Sequence, residues 1–495
     1  MYNTLENSGF QGDSKVLIIY STEKSVIMTK KNVPLIVFVC TISMFVILLV
    51  SHAYNDIIIT TRHGINFWYI LKSGELFDFY NVNRVASGND IYADVQGCAY
   101  NILVYIVFAV WNLPLLFLEI FANVDVMNSI LCLVYSKMLV VACLVITALV
   151  LRKILSVLEI PKENHSLILY LYVTSSLMVT VTFITAQYDM LSLIFQLLGF
   201  LAFLKRKDKE FILSFGIAFC FKYFAAVIFL PLMLLRHKRI STWMQHLAML
   251  LVPVILTKLP FFVYTLFFSE KIDSGELGDT MAASFLKNML DSATLTTSVN
   301  IFVMVYIVLL AWSYLQDNES EYYGYYGAWV CMVAYAMFFG LMEAYPYWSV
   351  LLAPFVTLVI SMAPNYLYLN LLLETIGYAG LVGVNMMRYP WVYWGDTLRS
   401  MIWPHILANT RFHPDYTDSV LYGVINMLHY RVDVHVLVNS VFLAAVIILS
   451  YTTYPVPRRY ISQLYNRTRE VDDVLLLRFF INTFICMLPI LAIFL

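Results

Sequence analysis

The sequence predicts an all-α polytopic membrane protein, and three observations lead there. Hydrophobic residues make up 61% of the 495-residue chain and charged residues only 13%, against about 25% charged in an ordinary soluble domain. Apolar runs of about 20 residues recur from end to end, the length a helix needs to cross a bilayer. No long polar block interrupts them, so no soluble catalytic domain is expected. A net charge of −1 gives no basis for nucleic-acid binding. The seven cysteines are scattered, with neither a CxxC pair nor metal-ligand spacing, so neither a disulfide framework nor a metal cluster is expected.

The elements follow in order. Residues 1–32 form a mixed polar segment, which Lys24, Lys30 and Lys31 place in the cytoplasm. The segment lacks the short apolar core and cleavage site of a signal peptide, so the first run, 33–52, is expected to stay as an anchor. Further runs lie at 99–120, 130–151, 166–184, 189–204, 210–235, 246–268, 299–315, 326–342, 349–363, 366–387, 435–453 and 475–494. The run 99–120 is interrupted by Asn101, Trp111, Asn112 and Pro114. If it crossed, the basic clusters Arg152–Lys153, Lys205–Lys209 and Arg236–Arg239 would fall outside, against the positive-inside rule. As an interfacial or re-entrant helix it restores that rule. Residues 53–129 then become one large outer loop bearing juxtamembrane helices. The run 210–235 is too long for one simple span and holds Lys222 at its centre. Two short helices meeting near Lys222 on the outer side keep that charge out of lipid. The total is roughly 13 transmembrane helices. They divide into a module over 33–240 and a second over 241–495, the latter with outer loops 269–298 and 388–434. No internal repeat is evident.

With this topology the unusual polar residues gather at one membrane face. The stretch LLVSHAYNDIIITTRHG (48–64) puts Asp56 at the rim of the first run, with His63 further on. A lone carboxylate there either anchors a helix end or does chemistry just above the bilayer. TAQYDM (185–190) supplies Gln187, Tyr188 and Asp189, and Asp189 suits a helix N-cap equally well. FCFKYFAAVIFLPLML offers Lys222 no neighbouring carboxylate, so its counter-charge must come from elsewhere in the fold or from a ligand. Ionisable residues at membrane depth are functional candidates, and a compact ammonium suits phosphate. The competing reading is a lysine that snorkels to the surface. Lys137, Lys258 and Glu374 also interrupt apolar runs and are expected to pair with one another. LMEAYPYWS brings Glu343, Tyr345, Tyr347 and Trp348 to the same face, although Trp and Tyr crowd membrane interfaces in any case.

The order of these pieces resembles the GT-C glycosyltransferases. The resemblance is best to the branch holding the dolichyl-phosphate-glucose glucosyltransferases of N-glycan assembly, the GPI mannosyltransferases and their bacterial relatives. An early outer Asp (Asp56), a QYD turn in TAQYDM, a lysine motif in FCFKYF and then LPLMLLRHKR (230–239) carry it. It covers best about residues 33–240; the later half is similar in architecture and in the EAYPYW turn. The resemblance implies an integral-membrane hexosyltransferase that takes a monosaccharide, mannose, glucose or similar, from a polyprenyl-phosphate carrier. The acceptor would be an envelope glycan, glycolipid or glycopolymer on the extracytoplasmic face, and the transfer would invert the anomeric centre. Carried over, Asp56 matches the general base, Lys222 the lysine that meets the donor phosphate, and Gln187 and Asp189 the turn lining the same cavity. Tyr188, His63, Glu343, Tyr345, Tyr347 and Trp348 complete the expected lining.

The sequence departs from the family at AYNILVY (99–105), where eukaryotic members carry a YPP-like motif. No cofactor and no metal are expected. Some family branches use a divalent cation on two acids, and Asp56 with Asp189 or Glu343 leaves that alternative open. The composition and loop lengths suggest a bacterial cell-envelope enzyme. Two other classes remain: a flippase or exporter of a lipid-linked glycan, and a polysaccharide polymerase or ligase. Arg388, Arg399, Arg411 and Arg431 in the last outer loop speak for the polymerase or ligase.

Overall fold

A computed structural model describes residues 35–80, 100–268, most of 287–388, 434–455 and 469–494, apart from a few single positions within them. The segment 1–32 lies outside the described residues. So do much of the first expected outer loop, with Asp90 and Asp94, and most of the loops 269–298 and 388–434, together with the side chains of Arg388, Arg399, Arg411 and Arg431.

Apart from helices and loops, the described residues hold one short antiparallel pairing, Thr294–Thr296 with Val299–Asn300. The helices in chain order are α1 (Leu35–Ser51), α2 (Asn55–Ser73), α3 (Ile102–Trp111), α4 (Leu113–Ala122), α5 (Ile130–Val157) and α6 (Lys162–Val173). Next come α7 (Ser176–Val179), which passes into a π-helical turn at Thr180–Ile184, then α8 (Asp189–Leu204), α9 (Asp208–Phe221) and α10 (Ala225–Arg236). The second half holds α11 (Ile240–Phe268), α12 (Ile301–Leu315) and α13 (Tyr323–Leu341). A 3-10 turn at Pro346–Leu352 leads into α14 (Ala353–Met362), followed by α15 (Leu367–Arg388), α16 (Val434–Thr452) and α17 (Arg469–Phe494).

The architecture is that of an all-α membrane protein. Among the described residues, α5, α11 and α13 are long and apolar enough to cross a membrane, and the number rises to six if each of three bent pairs counts as one span. Shorter apolar helices, α8, α10, α12, α15 and α16 among them, stand beside these. The long apolar sequences dictate this outcome, because in lipid a backbone that does not close its own hydrogen bonds is costly. α8, α13 and α14 are buried almost throughout, and they make the centre of the bundle. α11 lies at its edge, with large apolar side chains such as Leu256 and Phe267 turned outward.

The breaks matter more than the spans. α1 and α2 meet at 61°, and α3 and α4 at 57° across Asn112. The run expected as one span over 166–184 is instead two pieces bent by 58°. Its cause lies in Thr174 and Ser175: the Thr174 hydroxyl donates to its own helix at Tyr170 O (2.7 Å), and Ser175 caps a new one by accepting from Met178 N. The run 210–235 does divide, with α9 ending at Phe221 and Lys222 in an extended conformation (φ −153°, ψ 119°). The basic stretches after α8 and α10 come together at one end of the bundle. There Arg236 pairs with Asp208 (2.5 Å) and Arg206 with Glu319 (3.1 Å).

Candidate functional site

Four interruptions of the helical backbone converge on one place. They are the α1–α2 elbow, the TAQY turn before α8, the α9–α10 break and the turn EAYPYW before α14. Their convergence gathers polar side chains from distant parts of the chain, which makes this place the candidate site.

Asp56 stands in the first turn of α2, two residues after Tyr54, which enters the helix from an extended conformation. A helix N-terminus favours a carboxylate. Gln187 Nε2 donates to Asp56 Oδ2 at 3.0 Å. Burial raises the proton affinity of Asp56 above the ordinary carboxylate range. The Gln187 hydrogen bond and the Lys222 charge oppose that rise, and the nearby Asp189 charge adds to it. Gln187 is held in place by an unusual turn. Ala186 takes a left-handed conformation (φ +46°), and the Gln187 amide donates back to Val181 O at 3.0 Å. A positive φ is strained for any residue with a Cβ, and such strain gathers where structure must aim a side chain.

Asp189 opens α8 and is fully buried. Its side chain pairs with Lys222, whose Nζ lies 2.9 Å from Oδ1. The Asp189 carboxylate is therefore the counter-charge that Lys222 lacks in its own stretch, and it does not serve as the N-cap of α8, a position Tyr188 occupies. Lys222 Nζ also lies 4.2 Å from the Trp348 ring centroid, 5.4 Å from Phe224 and 5.8 Å from Tyr188. Aromatic faces attract an ammonium and leave it partly accessible: the Lys222 side chain keeps 13% exposure while Asp189 keeps 0%. The break that carries Lys222 is fixed from behind. Tyr335 on α13 donates to Gln196 Oε1 (2.7 Å) and to Phe224 O (3.2 Å), and the Ser192 hydroxyl donates to Ala218 O (2.9 Å).

Tyrosines line the remaining walls. Tyr345 and Tyr347 stack with centroids 5.4 Å apart, Trp348 stands edge-on to Tyr345 at 4.9 Å, and Tyr54 approaches Tyr347 at 6.4 Å. Tyr100 packs on Tyr188 at 4.5 Å. The structure thus brings together Asp56, Gln187, Tyr188, Asp189, Lys222, Tyr345, Tyr347 and Trp348. Tyr54 and Tyr100 were not among the sequence candidates. Their signal was position alone: Tyr54 sits two residues from Asp56, and Tyr100 just precedes the Asn101 cap of α3.

Two candidates stand apart. His63 is buried between α2 and α3, edge-on to Tyr105 at 5.4 Å, because it lies two turns along α2 from Asp56 and faces the helix that Gly64 allows to approach. Glu343 is exposed at the edge of the aromatic turn, where its backbone N–H donates to Ser292 (2.8 Å). The Asp189 charge acts on Asp56, and Lys222 already engages Asp189. Among the described residues no three His, Cys, Asp or Glu side chains converge to hold a metal ion.

The expectation that Lys137, Lys258 and Glu374 pair with one another is corrected. Glu374 pairs with Arg478, Lys137 is surrounded by backbone carbonyls, and Lys258 sits 5.4 Å from the Tyr223 ring. The three lie on different helices, α5, α11 and α15, and each has other partners.

Chemically the arrangement offers a carboxylate of raised proton affinity beside an ammonium, inside an aromatic wall. It can accept a proton and steady an anion within one small volume. Comparisons with protein-family models, with curated proteins and with solved structures find no match to this chain.

Proposed function

We propose that the chain is a GT-C-type hexosyltransferase of roughly 13 spans, moving a monosaccharide from a polyprenyl-phosphate carrier to a glycan or glycolipid acceptor on the extracytoplasmic face of a cell envelope. The observation that carries this reading is the meeting of Asp56 and Lys222. They are 166 positions apart in sequence, yet the Lys222 charge acts on Asp56, and Gln187 and Asp189 of one turn hold the two.

The acceptor hydroxyl gives its proton to Asp56 as its oxygen attacks the anomeric carbon. The bond from that carbon to the phosphate oxygen breaks, and its electron pair leaves with the polyprenyl phosphate. Attack from the face opposite the phosphate inverts the centre. A carboxylate held in place by Gln187 suits general-base work once it reaches the acceptor hydroxyl. Lys222 takes up the charge gathering on the leaving phosphate, an electrostatic role that strengthens where water is excluded. Gln187 orients the base, and Tyr345, Tyr347 and Trp348 offer flat faces for the sugar.

The test is transfer by purified protein in liposomes, with a panel of polyprenyl-phosphate monosaccharides and lipid-linked acceptors. Donor-dependent transfer is expected in the native chain, with kcat reduced about 10²–10⁴-fold in Asp56→Asn, the usual worth of a general base. Movement of a labelled lipid-linked glycan across the bilayer, without transfer from any donor, would replace this reading with the flippase.

A further inference from the structure

We infer that Lys137 is a positioning residue that sets the distance between Asp56 and Gln187. This rests on the hexosyltransferase reading for its kinetic consequence, though not for its geometry. Lys137 lies in the second turn of α5 and is fully buried. Its ammonium touches four backbone carbonyls: Leu48 O (3.3 Å), Leu49 O (2.7 Å), His52 O (2.5 Å) and Phe183 O (3.0 Å). The first three are at the C-terminal end of α1, where carbonyls lack helical partners and the helix carries partial negative charge. Capping α1 would need no more than these.

The fourth carbonyl changes the meaning of the set. Phe183 belongs to the π-helical turn, on a different arm of the chain. His52 is four residues before Asp56, and Phe183 is four residues before Gln187. Lys137 therefore grips both arms at the same remove from the two side chains that join at 3.0 Å. Each arm is short between grip and site: one enters α2 through Tyr54, which is extended, and the other passes through the strained turn at Ala186. Stacking of Phe45 on Phe183 (4.4 Å) brings the arms together but leaves their register open. Directional hydrogen bonds from one ammonium fix it. Lys137 touches neither Asp56 nor Gln187, so it acts on them through the backbone.

Two measurements test this. The first needs no activity. Asp56→Cys and Gln187→Cys are combined in a chain whose native cysteines are replaced, and the pair is bridged with a short bis-methanethiosulfonate. Rapid bridging is expected with Lys137 present, and severalfold slower bridging with Lys137→Met. The second is kinetic. Lys137→Met in the otherwise native chain should lower kcat about 10²-fold, the scale for a misplacement of about 1 Å at a reacting group, with donor KM little changed, because Lys222 and Trp348 are held by other elements. Lys137→Gln, a shorter donor, should fall between. Unchanged bridging in a folded Lys137→Met chain would overturn the inference even if transfer is strong. If no donor supports transfer, the bridging result still decides it. Should neither variant fold, Lys137 is a determinant of the fold as a whole and the positioning role is lost.

Discussion

At the scale of single residues, Asp56 and Lys222 occupy places where their charge is costly. Burial raises the proton affinity of Asp56, so the native state binds that proton more tightly than the unfolded chain does. For a carboxyl group this sign means that its contribution to stability is greatest at low pH and declines as pH rises through the raised native value. Asp56→Asn should therefore melt no lower than the native protein at pH 7, and the amide oxygen still accepts from Gln187. A thermal-unfolding scan in detergent reads this, and a clear drop in Tm would contradict it. The same shift gives the pH profile its direction. Transfer should fall away on the acid side at a pH above the ordinary carboxylate range, as Asp56 takes up its proton. Lys222 behaves differently, because its removal strands Asp189. Lys222→Met alone should cost about 3–5 kcal/mol, the penalty for breaking a buried pair. The double variant Lys222→Met/Asp189→Asn should recover most of that stability and none of the transfer. Stability measured for both variants beside the native chain checks the first half, and the liposome assay checks the second.

At the scale of elements, the site consists of helix ends, and this explains what the sequence revealed. Lys222 in the middle of an apolar run was legible as a break, since a charge in lipid is expensive. Asp56 was legible as the edge of a run, and YPYW as an aromatic turn. The π-helical turn and the left-handed Ala186 were not legible, because no glycine or proline marks them. Gly64 is similar. Its sequence neighbours say nothing, yet α2 and α3 approach so closely there that a Cβ would lie 2.8 Å from the Phe108 carbonyl carbon. Backbone cannot yield as a flexible side chain can. Gly64→Ala should push α3 from α2 and cost about 1–3 kcal/mol, the range for overpacking. Because Tyr100 enters at the head of α3, donor KM should rise as well. A variant that matches the native chain in both Tm and KM would show that the two helices separate without consequence.

Across the whole molecule, the contacts that hold distant parts together were the least legible in the sequence. Arg478 on α17 pairs with Glu374 on α15, and both are buried. Its other terminal nitrogen, Nη1, donates to Leu171 O at 2.6 Å, while Asn482 one turn on donates to Thr174 O at 2.7 Å. α17 is thereby tied to the carbonyls at the break between α6 and α7, more than 300 positions earlier in sequence. Nothing in a sequence read locally joins such positions, and a local reading pairs Glu374 with lysines instead. The pair has a definite energetic signature. Two charges taken out of water depend on each other, so losing one leaves the other stranded. Arg478→Met should destabilise the chain by about 3–5 kcal/mol and Glu374→Leu by a similar amount. Arg478→Met/Glu374→Leu should be far less harmful than the sum, because an apolar pair of similar volume removes both hydration costs together. Chemical unfolding of the two single variants and the double completes a cycle whose coupling energy measures the pair. Additive losses would mean that the carbonyl contacts, and not the ion pair, hold α17 in place.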